Sequence, residues 1–135
     1  MVGTVVAKRL RMSRDYRKLR VFDLADRLVL QTYRVSAGFP VTERYGLQAQ
    51  IRRAAVSVAA NIVEGSVRQT TGEWLNFLNI ASGSATEAHY LAGVAGRLGF
   101  VEKREATGLE EGYSELSASL RAMSRALREK TAPGG

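Results

Sequence analysis

From about residue 21 onward apolar residues recur at helical spacing, and no alternating stretch is long enough to form a strand. Near the C-terminus Leu109, Tyr113, Leu116, Leu120, Met123 and Leu127 follow one another at intervals of 4-3-4-3-4, the seam of a left-handed helical bundle. Trp74, Leu78, Ala81, Ala85, Ala88, Ala92 and Ala95 keep the same rhythm. Turn signals divide the pattern into four helices. The first is predicted from Val21 to Ala37, where "GFP" (Gly38 to Pro40) stops it, and the second from about Tyr45 to Gly65. The third opens at "TTGE", with Thr70 and Glu73 at capping-box spacing, and closes at "RLGF", where Gly99 suits a left-handed cap. The fourth is predicted to open at "TGLE", Thr107 with Glu110, and to fray near "TAPGG". A third helix of about 29 residues is about 43 Å long, and short connections make sequential neighbours antiparallel. The predicted fold is all-α: an antiparallel up-down-up-down four-helix bundle.

Two helices carry more apolar surface than a bundle core needs. On the second, Leu47, Ile51, Ala54, Ala55, Val58 and Ile62 form a core face, yet Ala49, Val56, Ala60 and Val63 gather on the opposite side. On the first, the apolar arc runs from Leu24 through Leu28, Val29 and Tyr33 to Leu30 and leaves Asp23, Arg27, Gln31 and Arg34 as the polar side. A helix apolar on both faces is normally buried on both. Self-association through Leu30, Tyr33, Ala49, Val56, Ala60 and Val63 is therefore expected.

A polar strip, Gln50, Arg53, Ser57, Asn61 and Glu64, separates the faces of the second helix. On the third helix the row Ile80, Ser84, Glu87, Leu91, Val94 and Leu98 sets a carboxylate among apolar neighbours. A buried carboxylate requires a partner, for which Arg53 and Arg68 are the candidates by type, and removing Glu87 would then cost about 3 kcal/mol. Arg53, Asn61, Glu64 and Glu87 read either as a ligand site or, preferably, as a buried structural network that fixes helix register or subunit docking.

Composition narrows the classes. The 135 residues, 45% hydrophobic and 24% charged, suit one globular domain. No apolar run reaches the ~20 residues of a membrane span and no export signal is visible, so no membrane partner and a cytoplasmic location are expected. There is no cysteine, and His89 is the single histidine. The net charge of +7 is unevenly spread: residues 1–20 hold Lys8, Arg9, Arg11, Arg14, Arg17, Lys18 and Arg20 against Asp15 alone, a net of +6, and the other 115 residues carry +1. Such a tail is either a phosphate-seeking arm or a solvated terminus. Met12, in "MSRDYRKL", offers an alternative start that would remove Lys8, Arg9 and Arg11. The expected division is a flexible basic tail over 1–19, the bundle over 20–130 and a flexible end over 131–135.

"YGLQAQIRRAAVSVAANIVEGSVR", "FLNIASGSATEA" and the entry "YRKLRVFDLADRL", followed by "TYRVSAGFP", resemble the four-helix proteins encoded by intervening sequences inside bacterial 23S rRNA genes. The match covers about residues 16–128. It implies an antiparallel bundle assembling as a cyclic homopentamer, and it points to Gln50, Arg53, Ser57, Asn61, Glu64, Gly65, Arg68, Gly83, Ser84 and Glu87. The entry departs from the family's habit, because "LRVFD" lacks the tryptophan that often follows there. More distantly the chain is similar to the accessory proteins of diversity-generating retroelements, which share the bundle and pentamer and bind nucleic acid and a reverse transcriptase. The nearer family brings no established activity with it.

An enzyme is not expected. The chain shows no phosphate-binding glycine loop, no Ser/His/Asp set beyond what one histidine permits and no paired carboxylates on a cleft wall, and neither cofactor nor metal is called for. Two readings stand. In the first, the protein binds RNA or DNA without strong sequence preference through Lys8, Arg9, Arg11, Arg14, Arg17, Lys18 and Arg20, extended by Arg27, Arg34, Arg44 and Arg52. In the second it is a scaffold for a protein partner with no nucleic-acid role. Asp23, Asp26 and Glu43 lie among the structured arginines and weigh against the first.

Overall fold

The computed structural model of the chain describes residues 15–131. Four helices, α1 (Arg20–Ser36), α2 (Leu47–Ser66), α3 (Thr71–Arg97) and α4 (Lys103–Thr131), account for most of them, with short 3-10 turns at Tyr16–Lys18 and Val41–Glu43. No strand occurs among the described residues. Helix α1 packs on α2 and α4, and α3 packs on α2 and α4, so each helix has two neighbours. The tail expected over 1–19 and the end expected over 131–135 fall mostly outside the described residues.

The alanine stripe of α3 lies in the core together with the heavier residues of α4. Trp74, Leu78, Ala81, Ala85, Ala88, Ala92 and Ala95 are all buried, as are Leu109, Tyr113, Leu116 and Leu120, while Met123 and Leu127 pack at its edge. Ile51, Ala54, Ala55, Val58 and Ile62 of α2 meet them. Where the chain turns from α2 into α3, the side chains of Trp74 and Phe77 pack against Gly65: a Cβ there would stand 2.7 Å from Trp74 Cδ1 and 2.9 Å from Phe77 Cβ.

The caps explain most of the boundaries. Thr70 Oγ1 accepts the Glu73 N–H at 3.1 Å and donates to the Glu73 carboxylate at 2.9 Å, so the capping pair at α3 forms. Gly99, with φ of 73°, closes that helix as Phe100 N–H reaches back to Ala95 O at 3.0 Å. The fourth helix corrects the expectation: it opens at Lys103, a turn before Thr107. The N–H groups of Glu105 and Ala106 both bond to Glu102 O, and Ala106 is buried where Gly96 leaves it room, with 2.7 Å from its Cβ to a Cβ built there. That packing extends the helix through the capping signal at Thr107.

Helix α1 differs in its face. Its buried stripe is Val21, Ala25, Leu28, Thr32, Val35 and Ser36, with Leu30 and Tyr33 turned outward. Two hydroxyls are tolerated inside because each finds a partner. Thr32 Oγ1 lies 2.6 Å from Tyr113 Oη, and Ser36 Oγ accepts the Arg52 Nε–H at 2.8 Å. Burial pushes the Tyr113 phenol up to about 12, against the smaller opposing effect of the Thr32 hydrogen bond. The unfolded phenol ionises near 10 and the folded one does not, so this group's contribution is intact below pH 10 and is lost as pH rises toward 12. Unfolding free energy is expected to fall by about 1.4 kcal/mol per pH unit across that window. Urea titrations of the protein and of Tyr113→Phe, which should flatten the fall, check this.

Candidate nucleic-acid interface

Of the residues expected to join subunits, Leu30, Tyr33, Val56 and Ala60 are exposed, while Ala49 and Val63 are half-buried. The outer face of α2 thus leaves apolar side chains in solvent. Further exposed apolar residues are Ile80 and Tyr90 on α3 and Leu98 at its C-cap.

The polar strip is not a buried network within the chain. Gln50, Arg53, Glu64 and Glu87 are exposed, whereas Ser57, Asn61, Arg68 and Ser84 are half-buried. Glu87 forms no ion pair with Arg53 or Arg68, although it shares an open depression with Gln50, Arg53, Ser57 and Ser84. The row that suggested its burial lies at the edge of α3, with Ile80 and Leu98 exposed and Leu91 alone buried. A large penalty for Glu87→Ala within the chain therefore has no basis. One hydrogen bond of the strip crosses from α2 to α3, Ser57 Oγ and Ser84 Oγ being 2.8 Å apart, while Asn61 Nδ2 donates within α2 to Ser57 O at 2.7 Å. Arg68 pairs with Glu64 and lies over the Phe77 ring, 4.9 Å from its centroid.

The basic residues divide similarly. Lys8, Arg9, Arg11 and Arg14 lie outside the described residues. Arg17 bonds to Asp15 at 3.1 Å; the hydrogen bond holds the Asp15 carboxyl below its usual range and the guanidinium above its own. Arg27 pairs with Asp23 at 3.2 Å. Lys18, Arg20, Arg34 and Arg44 are exposed. Arg52, expected as a surface cation, is also tied to the C-terminal turn of α1: besides Ser36 it donates to Tyr33 O at 3.1 Å and stacks 4.5 Å from the centre of the Tyr33 ring.

That stacked pair belongs to a groove the sequence did not announce. Tyr33, Arg44, Tyr45, Gln48, Ala49, Arg52, Arg53, Val56 and Ser57 line it, where the end of α1 meets the start of α2. Its rim residue Tyr45 is 89% exposed. In the sequence Tyr45 served only to mark a helix start, and no local signal tells an exposed aromatic ring from a core one. No cluster of three metal-ligating side chains occurs among the described residues, and none of their helices is long and apolar enough to cross a membrane.

The profile of the 23S rRNA-intervening sequence protein family matches residues 17–122. Among solved structures, a protein of unknown function from the S23 ribosomal protein family of Bacteroides thetaiotaomicron superposes with a TM-score of 0.72 at 21% identity, covering 78% of this chain and 95% of that one. At that identity the likeness speaks for the fold. No curated protein matches significantly.

Proposed function

The chain belongs to the 23S rRNA-intervening sequence protein family, and on that premise we propose that it is an oligomeric bundle that binds RNA or DNA without strong sequence preference. The observation that carries the binding is the concentration of charge, +6 within residues 1–20 of a chain whose total is +7. Phosphate interactions summed over many lysines and arginines give salt-sensitive affinity that does not depend on sequence. Assembly multiplies the tails.

The bundle is antiparallel, up-down-up-down, and closes into a cyclic homopentamer. Supporting the topology, Phe39 in the α1–α2 connection and Phe100 in the α3–α4 connection have ring centroids 6.0 Å apart, as they would with both connections at one end of such a bundle. Supporting assembly, Leu30, Tyr33 and Val56 are apolar and exposed on adjoining helices, a surface that further copies would cover. The protein works in the cytoplasm, performs no reaction of its own and requires no cofactor.

The test is a salt titration of binding to a 23S rRNA fragment, duplex DNA and a single strand, with the intact chain and with a chain lacking residues 1–18. Affinity of the intact chain is expected to fall steeply with salt. The truncated chain is expected to show a flatter slope, by roughly 0.7 to 0.9 for each phosphate it no longer neutralises. No binding by the intact chain to any of the three at low salt would leave the protein a scaffold for a protein partner.

A further inference from the structure

We propose that the groove between the end of α1 and the start of α2 is filled by α3 of a neighbouring copy of the chain, whose Ile80 and Tyr90 cover its apolar residues and whose Glu87 pairs with Arg53. Assembly itself rests on the reading above. The choice of α3 as the second surface rests on what each helix leaves exposed and on where its charges lie.

A closed ring joins two different patches, because each copy offers one surface to the copy before it and another to the copy after. Leu30, Tyr33 and Val56 make the first patch, on α1 and α2. Among the described residues α4 exposes no large apolar side chain, whereas α3 exposes Ile80 and Tyr90. Ile80, Gly83, Glu87 and Tyr90 are three or four residues apart and all exposed, so they share one side of that helix. A Cβ at Gly83 would meet nothing within 4 Å in the chain, which leaves room for another helix to come close between Ile80 and Glu87.

Charge selects the same two surfaces. Arg44, Arg52 and Arg53 reach the groove and no carboxylate lines it. Arg52 is held by neutral oxygens, donating to Ser36 Oγ and Tyr33 O, and Arg44 is exposed. Arg53 has no ion pair among the described residues, and a copy that covered it without an opposite charge would leave a buried guanidinium unpaired. Glu87 is the only carboxylate between Glu73 and Glu102, it is exposed, and it has no ion pair among the described residues either.

The register agrees. A ring whose axis runs along the helices carries each residue to the next copy at its own level. Within the chain Arg53 and Glu87 are at one level, lining the same depression beside the Ser57–Ser84 contact. The neighbour's Glu87 therefore arrives level with Arg53. Ile80 lies one turn beyond Ser84 and Ala60 about one turn beyond Ser57, both toward the place where Phe77 packs on Gly65. The neighbour's Ile80 thus arrives level with the exposed methyl of Ala60, apolar against apolar.

Size-exclusion chromatography with light scattering on the full chain tests the pairing. Arg53→Glu sets two carboxylates against each other at every interface, and Glu87→Arg sets two guanidiniums. Each variant alone is expected to lose the assembled mass and run as one chain, with the helical circular dichroism signal kept because both positions are exposed; Ile80→Glu is expected to do the same. Neither charge variant carries an opposite pair within its own chain. An equimolar mixture of the two is nevertheless expected to recover a mass of at least two chains, because the carboxylate introduced in one meets the guanidinium introduced in the other, and the unsubstituted Arg53 and Glu87 meet at the alternate interface. If any of the three variants keeps the full mass of the assembly, or if the mixture stays at one chain mass, α3 does not fill the groove in this register, while assembly stands on the mass of the intact chain. If the intact chain itself runs as one chain, the assembly reading and the pairing fail together.

Discussion

Replacing Val56 by glutamate is expected to reduce the light-scattering mass to that of one chain, about 15 kDa, while the helical circular dichroism signal is kept. Val56 lies on α2, yet it is 42% exposed and stands opposite Ile51, Val58 and Ile62, which are fully buried. A carboxylate at position 56 therefore stays in water in the separate chain and leaves the core untouched. In an assembly that covers this face it would be buried without a partner, at a cost of several kcal/mol in every interface. Leu30, on the neighbouring helix, is likewise apolar and 52% exposed. Ala60→Glu should act in the same direction. If both variants keep the full mass of the assembly, α2 does not present its outer face to another subunit.

The largest effect on the chain's own stability is expected from Leu116→Ala, about 3 kcal/mol, measured as a fall in the urea midpoint with the slope unchanged. Leu116 is fully buried, and it belongs to a core whose α3 side is mostly alanine. Small neighbours fixed on a helix can close little of the space that a missing leucine leaves, so most of the cavity remains. A cost below about 1 kcal/mol would mean that the helices move together to fill it.

The two heptad rows of α3 and α4 were legible because a 3.5-residue period marks a helix face that meets other helices, and every member of the Trp74 to Ala95 row is buried. Thr70 and Gly99 were legible because a cap is local chemistry. Periodicity does not say whether a row faces anything. The Ile80 to Leu98 row has the same spacing as the core row and lies at the edge, which is why Glu87 reads as buried in the sequence and is exposed in the fold. Thr107 imitates a helix start, and only the meeting of Ala106 with Gly96 across the α3–α4 turn decides against it. The buried hydroxyls were out of reach for another reason: Thr32 is satisfied by Tyr113, 81 residues away. The groove at Tyr45 likewise joins residues of α1 to those that open α2, and its cations become a surface only once the two helices are side by side.

Assembly is the premise on which the multiplied tails and the covered faces of α1 and α2 depend. Its most direct test is size-exclusion chromatography with light scattering on the intact chain at low micromolar concentration. A single species of about 74 kDa, five times the 14.7 kDa chain, is the predicted result; a monodisperse species of one chain mass would contradict it.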